Sequence, residues 1–193
     1  MSRPVDLVVI GGSAGAIEVL QRTLRQLPGD FSPATAIVIH LPAEGPFLFT
    51  DIFAREGGLT VKPAEDKERI IGGTIYLATP DYHLLVEKDR TFALSQDDRV
   101  HVSRPAIDVL FESAAEAYGQ RLMGVILSGA NADGAAGLKA IADAGGITVV
   151  QSIESSEMVA MPAAALQAAP GSIEVDAARL GELLISQRTD DGR

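Results

Sequence analysis

The stretch Val5-Asp6-Leu7-Val8-Val9-Ile10, running at once into Gly11-Gly12-Ser13-Ala14-Gly15-Ala16, constrains this chain more than any other. An apolar, β-branched run of this kind predicts a strand buried on both faces. The glycines after it predict a tight turn, and the pattern from Ile17 to Leu27 predicts a helix. Strand, turn, helix is where α/β proteins place chemistry. A dinucleotide fingerprint needs glycine at the first, third and sixth positions; counted from Gly11, those positions hold Gly11, Ser13 and Ala16, so the fingerprint fails. Gly11-Gly12-Ser13-Ala14-Gly15 instead fits the nucleophile elbow, in which a serine sits on a sharp strand-to-helix turn between residues too small to block it. The helix start aims free N–H groups and a positive dipole end at an oxyanion forming beside Ser13. A plain tight turn and an anion-binding loop are the other readings of the same glycines.

With 193 residues, 47% of them hydrophobic, the chain predicts a single domain, residues 1–193, with a sizeable core. It has no cysteine, which excludes disulfides, thiolate metal ligands and a cysteine nucleophile, and fits a reducing compartment. Met1-Ser2-Arg3-Pro4 leads straight into the first strand with no signal-peptide pattern, and no run approaches the ~18 apolar residues that cross a bilayer. The expectation is a cytoplasmic protein without membrane insertion. The formal net charge of −10, with scattered basic residues, argues against a nucleic-acid partner. The acidic surface is read as an aid to solubility before a docking device.

A second apolar strand spans Ala34 to Ile39 and ends at His40, where a dinucleotide-binding domain would carry an acid. After a loop from Leu41 to Pro46, Phe47 to Arg55 predicts a short helix. Leu59 to Pro63, Thr74 to Ala78, His83 to Val86 and Thr91 to Leu94 predict four short strands with no helices between them, the last two a hairpin. They are read together as a partly antiparallel annex to the main sheet. Helices then alternate with strands: Pro105 to Tyr118, Met123 to Leu127, Ala135 to Ala144, Ile147 to Gln151, Pro162 to Ala169, Ile173 to Val175, and Ala177 to Ser186 capped by Asp176. The fold class is α/β: a doubly wound, mostly parallel, Rossmann-like three-layer sheet with a small antiparallel hairpin annex. The polar tail 187–193 reads as disordered.

Ser128-Gly129-Ala130-Asn131-Ala132-Asp133-Gly134 repeats the design of the first turn after another buried strand. Three strand ends thus deliver Ser13, His40 and Asp133, the set that acyl transfer requires: a nucleophile, a base, and an acid that orients the base. Each has a plainer reading. Asp133 stands where a helix N-cap would, and His40 could be a satisfied histidine at a strand end, as His83 and His101 are read to be. Three separated histidines without a ligand pair at helical spacing make no zinc site, so no metal is expected.

The chain is similar, over nearly its whole length, to the catalytic domain of the CheB family of chemotaxis receptor methylesterases. The matching pieces are Ile10-Gly11-Gly12-Ser13 with Gly15, His40-Leu41-Pro42, Ile75-Tyr76-Leu77-Ala78 with Pro80-Asp81-Tyr82-His83, Arg104-Pro105 running into Asp108-Val109-Leu110-Phe111, and Gly124 to Gly129 with Asp133-Gly134-Ala135-Ala136-Gly137. The resemblance implies a triad at Ser13, His40 and Asp133. It also implies hydrolysis of glutamate γ-methyl esters on the cytoplasmic helices of chemoreceptors, with glutamine deamidation as a related activity and no cofactor. Candidate further partners are a receptor methyltransferase or a separate response regulator. The N–H of Ala14, following the nucleophile, suits an oxyanion donor, and the family suggests a second near Ala130. Arg104 is the candidate basic residue at the substrate rim, facing an acidic receptor bundle.

The chain departs from the family where threonine usually follows the serine (Ala14), where a glycine-methionine-glycine run usually precedes the aspartate (Gly129-Ala130-Asn131), and where a histidine usually precedes Arg-Pro (Ser103). These changes spare the triad and alter its rim. The family's regulatory enzyme carries a receiver domain ahead of the catalytic strands, where this sequence begins; two expectations stand, control without a receiver of its own or a receiver lying upstream. Two other readings stand beside the main one. The first is a non-catalytic or reassigned CheB-like module regulating a receptor or methyltransferase system. The second is a small-molecule esterase, disfavoured because the order Ser, His, Asp differs from the Ser, Asp, His order of α/β-hydrolases.

Overall fold

The computed structural model describes residues 4–40 and 59–187. The loop and helix expected at 41–55 lie outside these residues, as does all of the tail beyond 187.

Strands β1 (Leu7–Gly12), β2 (Ala34–Ile39), β3 (Thr60–Pro63), β4 (Thr74–Leu77), β7 (Leu122–Ile126), β8 (Ile147–Gln151) and β9 (Ile173–Val175) form one parallel sheet in the order β3-β4-β2-β1-β7-β8-β9. β1 sits between β2 and β7, where the winding reverses direction. In open α/β sheets the crevice at such a reversal, at the carboxyl ends of the strands, is where sites form.

Alternation along β1 explains the three layers. Leu7 and Val9 point to one side, into a core with Ala36, Val38, Tyr76, Phe111, Leu138 and Met161. Val8 and Ile10 point to the other, packing with Leu20, Leu24, Ile37, Val125, Leu180 and Leu184. The first side is covered by α2 (Ile107–Tyr118), α3 (Ala135–Asp143) and α4 (Ala160–Ala168), the second by α1 (Ala16–Gln26) and α5 (Leu180–Ser186). Asp176 caps the turn before α5 as expected, its Oδ1 accepting the N–H of Ala178 at 2.8 Å.

The four-strand annex is corrected. β3 and β4 are parallel members of the main sheet, and only β5 (His83–Val86) and β6 (Phe92–Ser95) form a separate antiparallel pair. The link from β3 to β4 has no helix, yet it returns in parallel because it borrows the hairpin as its partner. The N–H groups of Lys67 and Ile70 donate to the carbonyls of Phe92 and Arg90 at 2.8 and 3.0 Å, and that of Phe92 donates to Glu68. The hairpin in turn covers the sheet as a crossover helix would, with Phe92 edge-on to Tyr76 at 4.8 Å between ring centroids. A stretch without helices suggests a partly antiparallel annex; the crossover is instead an extended ribbon.

Candidate active site

The turn after β1 is shaped by what its glycines allow. A Cβ on Gly11 would lie 2.3 Å from Cγ2 of Ile107, so only glycine lets the start of α2 lie against this strand end. Gly15 caps α1 with φ of 80°, in the left-handed region that suits glycine. Between them Ser13 is half-buried, its N–H donating to the Ser128 carbonyl at 2.9 Å and its carbonyl accepting from Ala16 at 3.1 Å. The backbone N–H groups of Ala14 and Ala130 have no hydrogen-bond partner among the described residues, and both alanines are exposed.

His40 follows β2, and its N–H donates to the Gly12 carbonyl at 3.0 Å, locking the second strand end beside the serine turn. Its Nε2 lies 2.7 Å from Oδ2 of Asp133. Nδ1 has no hydrogen-bond partner among the described residues. The structure thus brings His40 and Asp133 into direct contact and sets Ser13 on the strand between theirs; Ser13 Oγ has no hydrogen bond to His40.

Asp133 is fully buried. The plain reading made it a cap for the helix that follows, but it caps a different one. Its Oδ2 accepts the N–H of Ile107 at 2.8 Å and its Oδ1 that of Asp108 at 2.9 Å, the first two residues of α2. Ala106, at the N-cap of α2, has no side chain to do this. Burial pushes the carboxyl upward, but the His40 hydrogen bond and the donors of Asp108 and Ile107 outweigh it, and Asp133 is held below the usual carboxylate range. It is therefore ionised at neutral pH, as an acid that must orient and stabilise an imidazolium has to be.

Sequence reasoning missed three contributors. Ser128 joins the two glycine turns: its Oγ donates to the Ala14 carbonyl at 2.7 Å and accepts the N–H of Met158 at 2.8 Å. A lone small polar residue opening the second glycine turn was the available signal. Asp108, known only as part of the family motif, and His101, read as a satisfied histidine, meet at 3.1 Å beside Asp133, a pairing that sequence reasoning does not give. His83 is the satisfied histidine expected of it, with Nδ1 accepting from Ala106 and Nε2 donating to the Asp98 carbonyl at 3.0 Å.

Ligand atoms of His101, Asp108 and Asp133 lie within 4.8 Å of one another, a grouping that histidine spacing does not announce. Each carboxylate oxygen in it already has a backbone N–H or imidazole partner, so the cluster is a hydrogen-bonded one. Arg104 directs Nε and Nη2 to Oδ1 of Asp81 at 3.2 and 2.8 Å, and Nη1 to the carbonyls of Gln96 and Asp97. Its donors brace the loop that leads into α2.

A serine, a histidine and a buried aspartate at three adjacent strand ends of a doubly wound sheet are the layout of a serine hydrolase. The CheB methylesterase family model matches residues 8–184, and the chain belongs to that family. A Leptospira interrogans relative, provisionally named protein-glutamate methylesterase/protein-glutamine glutaminase, is 43% identical over 180 residues, 93% of each chain. A Rhodospirillum rubrum protein-glutamate methylesterase/protein-glutamine glutaminase is 36% identical over 84% of this chain, which spans 43% of that relative. The crystal structure of the Thermotoga maritima CheB methylesterase catalytic domain superposes with a TM-score of 0.87 at 29% identity, covering 95% of this chain and 99% of that one.

Proposed function

We propose that this protein is a protein-glutamate methylesterase that removes methyl groups from glutamate side chains of chemoreceptors, with Ser13, His40 and Asp133 as its triad. The observation that carries the reading is the 2.7 Å contact between His40 and the ionised, buried Asp133, one strand away from Ser13 on each side. Ser13 Oγ attacks the ester carbonyl while His40 takes its proton, and Asp133 stabilises the imidazolium. The N–H groups of Ala14 and Ala130, which have no hydrogen-bond partner among the described residues, receive the oxyanion. Collapse of the tetrahedral intermediate releases methanol, protonated by His40. Water, deprotonated by the same ring, then attacks the acyl-serine and frees the glutamate carboxylate. A glutamine side chain follows the same path with ammonia leaving, which makes deamidation the natural second activity.

The substrate is the methylated cytoplasmic helical domain of a chemoreceptor, which places the enzyme in the cytoplasm; a receptor methyltransferase or a separate response regulator is the proposed regulatory partner. Among the described residues no helix is long and apolar enough to cross a membrane. No step above calls on a cofactor or metal. An acidic receptor helix would meet Arg104 as part of its cluster with Asp81. The non-catalytic alternative is not favoured, since the family and its relatives are named for the enzyme and the His40–Asp133 contact is assembled.

The test is methanol release from methylated receptor fragments. Ser13→Ala should abolish it, and Asp133→Asn should lower kcat by about 10⁴-fold, as loss of the orienting carboxylate does in serine-protease triads. A folded wild type that binds the fragments without releasing methanol would overturn the reading.

A further inference from the structure

The N-termini of α2 and α3 cap each other. Asp133, just before α3, accepts the first two N–H groups of α2. In return Asp108, the second residue of α2, accepts the N–H of Gly137 in the first turn of α3 at 2.7 Å through Oδ1. Neither helix has a capping side chain of its own: the N-cap positions are Ala106 and Gly134. The exchange needs the two helix starts in close contact, and a Cβ on Gly137 would lie 2.5 Å from Cβ of Phe111 and 3.2 Å from Cα of Asp108. Each carboxylate also meets an imidazole: Asp133 through Oδ2, which it shares between His40 and the Ile107 N–H, and Asp108 through its second oxygen, Oδ2, to His101. The second carboxylate–imidazole pair stands beside the first, and its His101 is about half exposed, against 12% for His40 in the first.

We propose that Asp108, tied to His101, is a positioning residue for the triad: it clamps the two helix starts together and so holds Asp133 on His40. The proposal rests on the triad reading above. Because the N–H of Asp108 is itself a donor to Asp133, any shift of this residue moves the catalytic carboxylate directly. The negative charge of Asp108 also lies behind Asp133 and favours the imidazolium that forms during the reaction. The titratable groups facing Asp108 are Asp133 from the loop before α3, His101 from the loop before α2, and Glu112 one turn along α2; His40 of the β2 end stands behind Asp133. Burial and the Asp133 charge push the Asp108 carboxyl up, while the Gly137 N–H and His101 oppose this.

Asp108→Asn keeps an acceptor for Gly137 and removes the charge, whereas His101→Gln removes the ionisable imidazole from an exposed position. Both should fold. Asp108→Asn should lower kcat about tenfold with KM within about twofold, and move the acid limb of the kcat/KM pH profile down by about half a pH unit. His101→Gln should give the same pattern at smaller size, about threefold in kcat. A reading that needs no turnover is the hydrogen-bonded imidazole N–H of His40, followed by NMR without substrate; in Asp108→Asn it should exchange with solvent about tenfold faster. Unchanged exchange, an unmoved acid limb and kcat within twofold in both variants would overturn the proposal and leave Asp108 as a helix cap alone. If the wild type released no methanol, the methylesterase reading would fall, while the exchange of the His40 proton would still decide this one.

Discussion

Ser128 Oγ donates to the carbonyl of Ala14 across 2.7 Å, so the turn after β7 grips the turn after β1 by the residue that follows Ser13. The same hydroxyl accepts the Met158 N–H, and the Ser128 N–H donates to Oε1 of Gln151 at 2.9 Å, which anchors the grip to the end of β8. Ser128→Ala strips one carbonyl and one N–H of their partner, at a cost of about 1–3 kcal/mol. Thermal unfolding should show a midpoint lower by several degrees. Methanol release should fall about tenfold as the Ala14 N–H loses its aim; activity equal to wild type would mean that the elbow holds its shape alone.

Two neighbouring carboxyls respond to acid in opposite directions. Asp133 is held below its ordinary value of 3.8, so its ionised form favours the fold; that stability is full above 3.8 and is lost as pH falls through the lowered folded value. Asp108 is pushed above 3.8, so its ionised form works against the fold, and this penalty is relieved as pH falls through the raised value toward 3.8. Urea midpoints between pH 7 and pH 3 should therefore rise slightly before they fall. Asp108→Asn should remove the rise, and Asp133→Asn should flatten the fall. Midpoints for Asp133→Asn that run parallel to wild type below pH 3.8 would contradict the account.

His101 and Val102 form a two-residue turn between paired Val100 and Ser103, both with positive φ, 49° and 64°. Turns of this geometry favour asparagine followed by glycine, and a β-branched residue in the left-handed region is strained. Val102 gains little in return, being 84% exposed. Val102→Gly should stabilise the protein by about 1 kcal/mol, raising the thermal midpoint by about 2–4 °C. A lowered midpoint would show that the valine makes contacts that outweigh its backbone strain.

The alternating pattern of apolar runs and helical periods announced a doubly wound sheet, because strands buried on both faces leave no other placement for so many β-branched residues in a row. It also announced the residues at three strand ends. Strand order was not legible: nothing local to β7 says that it lies against β1 and not at an edge. The annex was misjudged because a crossover is normally recognised by its helix, and the segment between Pro63 and Thr74 satisfies its backbone on the hairpin instead. Asp133 looked like the cap of its own helix for the same reason. Capping signals are read within one helix, and here the caps are exchanged between two successive helices that β7 separates. Asp108 carried no signal beyond its place in the Arg104-Pro105 to Phe111 motif, and His101, with no glycine turn beside it, carried none.

The order β2-β1-β7 at the middle of the sheet has a consequence for how the molecule opens. Edge strands lend few of their hydrogen bonds to neighbours and exchange first, while innermost strands open only when the whole domain does. β3 and β9, each paired on one side, can fray without disturbing the carboxyl ends of the three central strands. Ser13, His40 and Asp133 thus follow the strands expected to exchange last, and fraying at either edge of the sheet should leave their geometry in place.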